Sequence, residues 1–166
     1  MTTDPERRWL TEQTSIRMPY LADTDLDPAD DPELPIVRTS SARRVRRVAE
    51  QLAVQFHRET RFDFVPYRAD WRDVFDDIVL LSRPEQHLWT GRLVCGAVAV
   101  TRYPDDDPEQ WWAAWIYLHP YMRGRGVVDK AWPRIADRYP GIRMAGPFTP
   151  AGLQLARRLD PHEVIR

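Results

Sequence analysis

Between residues 40 and 62 the apolar positions Val45, Val48, Leu52 and Phe56 recur at helical spacing and lay one stripe along an α-helix, with Ser40 or Ser41 as its N-cap. The opposite face carries Arg43, Arg44, Arg46 and Arg47. The following FDFVPYRADWRDVFDD predicts a turn and a second, shorter helix near Trp71–Asp76. Residues 78–103 read as β: the run DIVLL, then HLWTGRLVCGAVAVTRY with two β-rich arms around Gly91-Arg92, a tight-turn signal. After the acidic loop PDDDPEQ, Trp111–Leu118 (WWAAWIYL) is a strand apolar on both faces, which suggests a central position. Alternation sends Trp111, Ala113, Trp115 and Tyr117 to one face and Trp112, Ala114, Ile116 and Leu118 to the other. A helix spans Val127–Arg138, where Pro133 should kink or shorten it and Pro140-Gly141 ends it. IRMAGPF, residues 142–148, is a further strand, and PAGLQLARRL a last helix with Pro150 in its first turn. DPHEVIR can add one short strand at most.

Residues 1–37 differ from 38–166. Up to Pro35 they hold nine acidic residues against three arginines, and prolines at 5, 19, 28, 32 and 35 break any helix. DTDLDPADDPELP reads as an extended, solvated linker. Thr14–Leu21 alternates enough for a short strand, which Pro19 makes an edge strand. The whole predicts an α/β (α+β) fold: a mixed, mostly antiparallel central sheet flanked by helices, with at least one strand–helix–strand crossover over 111–148.

The length of 166 residues suits one domain, and 43% hydrophobic residues supply a core. A net charge of −1 gives no general pull toward nucleic acid or an anionic membrane, so neither is an expected partner. The single Cys95 excludes an internal disulfide framework and reads as a small buried hydrophobe. Four histidines show no metal-ligand spacing, and no metal is expected. No signal peptide or membrane helix is visible, and the expected compartment is cytoplasmic.

Chemistry concentrates in Ile116–Val128, IYLHPYMRGRGVV. A buried strand enters a loop of Arg123, Gly124, Arg125 and Gly126, and a helix starts directly after it. Loop amides and the free N–H groups of the helix's first turn converge there, and the helix dipole adds positive charge. That is a phosphate or pyrophosphate cradle. Glycine serves it by allowing close approach or a positive φ. Neither a Walker GK[ST] nor a G-x-G-x-x-G is present.

The segment resembles the GNAT superfamily of acyl-CoA-dependent N-acetyltransferases, whose signature is R/Q-x-x-G-x-G/A after a central strand. Arg123 and Gly126 match, while Val128 replaces the final Gly/Ala. The flanks Leu118-His119-Pro120 and Tyr121, the upstream GRLVCGAVAV and the downstream PFTPAGLQLARRL extend the resemblance over about residues 38–160. It implies acetyl-CoA as cosubstrate. Backbone groups of Ile116, Tyr117 and Leu118 would pair with the pantetheine arm, and an N–H near Leu118 would polarise the thioester carbonyl. Arg123, Gly124, Arg125, Gly126, Val127 and Val128 would hold the pyrophosphate, and Thr149 stands where the family often carries a cofactor-touching asparagine. The reaction implied is direct attack by a primary amine, on a small molecule or a protein, with a base removing the ammonium proton.

Glu109, His119 and Tyr117 are the candidate catalytic groups, and Asp105, Asp106 and Asp107 favour a cationic acceptor. The family's usual general acid, a tyrosine on the last helix, has no counterpart in AGLQLARRL. The sheet reads as shortened at its C-terminal end, an edge left to the N-terminal segment, to a homodimer or protein partner, or to nothing. Two other readings stand beside the enzyme: a catalytically weak or inactive protein of the same fold that holds CoA or binds proteins, and a relative that acetylates aminoacyl-tRNA.

Overall fold

The structure is a computed structural model of the chain that describes residues 17–71, 77–103 and 107–159. It is a mixed α/β fold whose strand pairs are antiparallel except one. The larger sheet has the order β2 (Ile36–Val37), β3 (Asp77–Leu81), β6 (Gly96–Tyr103), β7 (Asp107–Leu118) and β8 (Arg143–Met144), with only β7 and β8 parallel. A smaller sheet runs β1 (Tyr20–Ala22), β5 (Gly91–Leu93), β4 (His87–Leu88). Helix α1 (Arg43–Thr60) covers one face of the larger sheet, and α2 (Val127–Arg138) and α3 (Pro150–Leu159) cover the other.

The apolar stripe of α1 does what its spacing requires: Val45, Val48, Leu52 and Phe56, joined by Ala49 and Ala53, are all buried. Its N-cap is Ala42 rather than a serine, because the Ser41 hydroxyl instead accepts from the Arg38 N–H at 2.9 Å and closes the preceding turn. The second helix expected near Trp71–Asp76 lies almost wholly outside the described residues, as do Asp105, Asp106 and the DPHEVIR tail. Pro133 does not shorten α2; it sits on the exposed face, where its ring meets solvent rather than the sheet.

Three strand expectations change. The hairpin turns at Trp89-Thr90, so Gly91 opens β5 instead of forming the turn. Glycine is needed there because a Cβ would stand 2.3 Å from the Leu21 carbonyl oxygen of β1. The strand expected over 142–148 shrinks to Arg143–Met144. The third change is in β7. Ala99 of β6 faces Trp115 but Val100 faces Ala113, so Ala114 is an extra residue in β7, a β-bulge. The bulge reverses the alternation expected from sequence. Trp115 and Tyr117 pack on the α1 side, while Trp111 and Ala113 pack on the α2–α3 side with Ile116 and Leu118.

The acidic N-terminal stretch is not a free linker. Leu21, Leu34, Ile36 and Val37 join the core, and β1 and β2 each form a sheet edge. Arg38 chelates Asp30 through two hydrogen bonds of 3.0 and 2.8 Å and reaches Asp77 at 3.4 Å. Tyr139, at the end of α2, donates to Asp77 at 2.6 Å. Arg134 of α2 pairs with Asp31 and Glu33, and Arg44 with Asp25. The fully buried Cys95 has its thiol pushed up to about 12 by desolvation.

Asp30 has a side chain only 6% exposed, so Arg38→Ala leaves a buried carboxylate without its partner. A loss of about 3 kcal/mol is expected in urea unfolding. Tyr139→Phe, which leaves Asp77 its contact with Arg38, should lose about 1 kcal/mol in the same measurement.

Candidate functional site: a cleft between parting strands

β7 and β8 pair at Trp112–Arg143 and Ala113–Met144, and the Ala145 N–H reaches the Ala113 carbonyl at 3.1 Å. Beyond that point, where the bulge bends β7, no strand among the described residues follows its outer edge. A cavity of about 900 Å³ opens in the gap. It reaches from Phe56, Glu59, Thr60 and Phe62 on the α1 side to the start of α2 and to Gln154, Leu155 and Arg158 of α3. Such a volume suits a small-molecule site, for which roughly 300–1,000 Å³ is usual.

The wall along β7 offers backbone groups. The His119 N–H bonds the Cys95 carbonyl at 2.7 Å and Tyr117 faces Ala97, so those residues turn their peptide groups toward β6. Alternation then directs the peptide groups of Ile116 and Leu118 into the cleft. Arg123 Nε caps the Leu118 carbonyl at 2.9 Å, which leaves the Leu118 N–H directed along the wall.

The far end of the wall is the loop ahead of α2. Gly124 and Gly126 both have φ of 68°, a left-handed backbone that suits glycine. Gly126 is the N-cap of α2, and its carbonyl accepts the Lys130 N–H at 3.0 Å. The amides of the first turn before Lys130 have no partner inside the helix and carry the positive end of its dipole. Gly124, Gly126, Val127, Val128 and Asp129 line the cavity there. The two hydrogen bonds from Arg158, at 2.8 and 3.2 Å, lower the Asp129 carboxyl from its ordinary value.

Of the residues expected to hold a cofactor, the fold brings Ile116, Tyr117, Leu118, Arg123, Gly124, Gly126, Val127, Val128 and Thr149 to this one cavity. The Thr149 hydroxyl accepts from the Gly152 N–H at 3.0 Å and so caps α3. Arg125 does not line the cavity; its Nε donates to the Tyr121 carbonyl at 2.7 Å. Glu109 is exposed near the start of β7, roughly 25 Å along the strand from Tyr117 at about 3.3 Å per residue. It is therefore not at the cleft, and neither is Asp107. His119 is buried beside the cleft rather than in it, with Nδ1 accepting from the Tyr121 N–H at 3.3 Å. Tyr117 alone of the catalytic candidates lines the cavity.

Sequence reasoning missed Glu59. It lies on α1 three residues after Phe56, where the apolar stripe would continue, and a carboxylate on that stripe was the available signal. Glu59 Oε2 forms an ion pair with Arg123, whose guanidinium also stands 5.9 Å from the centre of the Tyr117 ring. Burial pushes the Tyr117 hydroxyl far up, and the neighbouring Glu59 adds to the shift. Tyr117 Oη and Glu59 Oε1 are both buried without a hydrogen-bond partner.

Together these features define a mixed α/β protein with a cleft through a split in its sheet. A scan of the chain against protein-family models finds no match, and searches of the curated proteins and of the solved structures find none either. Among the described residues no helix is long and apolar enough to cross a membrane, and no three His, Cys, Asp or Glu cluster as metal ligands.

A buried hydroxyl without a partner opposes folding, so Tyr117→Phe should leave stability unchanged or raise it by about 1 kcal/mol in urea unfolding. A loss larger than that would mean that the hydroxyl bonds Glu59 and serves the fold.

Proposed function

We propose that the chain is an acyl-CoA-dependent N-acetyltransferase of the GNAT type, moving an acetyl group from acetyl-CoA to a primary amine. The observation that carries the reading is the parting of β7 from β8, which leaves an open strand edge leading to two left-handed glycines and the start of a helix. An extended amide-bearing arm can pair along that edge as a strand would, with Ile116 and Leu118 as its partners. Its pyrophosphate would meet the amides of Gly124–Val128, and the helix dipole favours the negative charge. The Leu118 N–H would polarise the thioester carbonyl.

In the reaction the amine nitrogen attacks the carbonyl carbon and the C–S bond breaks. The sulfur leaves with the bonding pair, and the nitrogen gives up a proton. α3 turns Gln154 and Arg158 to the cleft and no hydroxyl group, so the thiolate would take its proton from solvent. The same feature favours a second reading, a protein that holds CoA or a partner with little turnover. The expectation of cytoplasmic residence goes with both.

The test is acetyl-CoA binding by calorimetry, with thiol release followed in a panel of amines. Micromolar binding with thiol release is expected; binding without release would favour the second reading, and no binding would refute both. Gly126→Glu puts a carboxylate at the helix start and a side chain at a left-handed position. It should weaken acetyl-CoA binding by about 100-fold, about 2.7 kcal/mol, with the circular dichroism spectrum retained. A folded variant with unchanged affinity would remove the cradle from this loop.

A further inference from the structure

The α1 end of the cleft carries two buried polar atoms that act on each other, Tyr117 Oη and Glu59 Oε1, yet neither makes a hydrogen bond of normal geometry. Tyr117 is 2% exposed and lines the cavity, and its Oη has no hydrogen-bond partner. Glu59 Oε1 is in the same position, although Oε2 of the same carboxylate pairs with Arg123. Leaving such an atom unpaired is costly, so two of them beside one cavity are points where a ligand's donors would be held. Both accept hydrogen bonds: a carboxylate oxygen accepts only, and a phenol oxygen can accept while it donates. The matching ligand group brings at least two N–H donors on one atom.

The surrounding walls are aromatic. The Phe56 ring stands 5.5 Å from that of Trp115 and 6.0 Å from that of Phe62, and Phe62 continues to Phe64 at 6.0 Å. Phe56 and Phe62 line the cavity, with Thr60 between them in sequence. Rings of this kind take an apolar stem and favour a cation over their faces. Arg123 offsets the charge of Glu59, so this end of the cleft lacks the negative field that a polycation needs. The acidic residues Asp107 and Glu109 do not line the cavity and add none.

We infer that this end of the cleft is the acceptor subsite of the acetyl-transfer reading above, on which the inference rests. Its ligand is a primary amine on an apolar, preferably aromatic, stem. Tyr117 Oη and Glu59 Oε1 receive the amine's N–H groups, and Phe56 and Phe62 receive the stem.

The test is calorimetry on the full chain with 2-phenylethylamine, 2-phenylethanol and putrescine, each with and without acetyl-CoA, which is also titrated alone. Phenylethylamine should bind at least about tenfold more tightly than the alcohol or the diamine. Glu59→Gln, which keeps an amide oxygen for Arg123, should lose about tenfold of that affinity while acetyl-CoA affinity is not weakened. Tyr117→Phe should show a smaller loss in the same direction. Equal binding of alcohol and amine, tighter binding of putrescine, or no effect of Glu59→Gln in a folded protein would overturn the subsite. Acetyl-CoA binding without phenylethylamine binding overturns the subsite and leaves acetyl transfer standing. Amine selectivity without acetyl-CoA binding does the reverse.

Discussion

One extra residue in β7 sets the geometry on which the site depends. Opposite the step from Ala99 to Val100, Ala114 is inserted into the ladder, and Ala114 and Trp115 both turn toward α1. A bulge bends the strand that carries it. Here the pairing of β7 with β8 ends at Ala113, the residue before the bulge. The same insertion brings Tyr117 to the α1 face beside Glu59, while Ile116 and Leu118 stay with α2 and α3. Without it, Trp115 and Tyr117 would share a face with Ala113, and the aromatic end of the cleft would lose its wall.

A cleft between parted strands needs an anchored frame, because strands without a ladder invite closure. The anchor comes from the acidic stretch before β2. Asp31 and Glu33 hold Arg134 in the middle of α2, and Asp30, through Arg38 and Asp77, reaches Tyr139 at its end. α2 is thereby tied to the far edge of the larger sheet, at β2 and β3, across the strands that lie between. Its middle and its C-terminal end are held on the side away from the cleft. Acidic residues that read as solvated in the sequence thus serve as clamps.

Much of this was legible in the sequence, and the rest was hidden for physical reasons. α2 follows its periodicity from Val127 to Arg138 because glycines that need a positive φ, Gly126 and Gly141, bound it. DIVLL is β3 because a short β-branched run bounded by acidic and polar residues has few alternatives. One cavity gathers Ile116, Leu118, Arg123, Gly126 and Thr149, a grouping that the GNAT resemblance implied; the strand–loop–helix pattern by itself marked only the loop and the helix start. The bulge left no trace, since WWAAWIYL is apolar throughout and has no polar position to mark a change of face. Gly91 misled because a glycine needed for close approach looks like one needed for a turn. Glu109 misled because nearness along the chain is not nearness in space: an extended strand carries it away from the cleft.

The charges at the cleft show how an anion could be held with few free cations. Arg123 is committed to Glu59 and the Leu118 carbonyl, and Arg158 to Asp129. The two arginines that line the cleft are thus each matched by a carboxylate. The attraction left is that of peptide dipoles: the amides of the glycine loop and of the first turn of α2, aligned by a backbone that takes a left-handed turn at Gly124 and again at Gly126. Dipoles fixed in place act over a short range and require the phosphate to fit. Asp129, held ionised by Arg158, adds a penalty for an anion that approaches off that line. For the proposed extended, amide-bearing cosubstrate, a cleft balanced in this way would select by shape and hydrogen-bond direction.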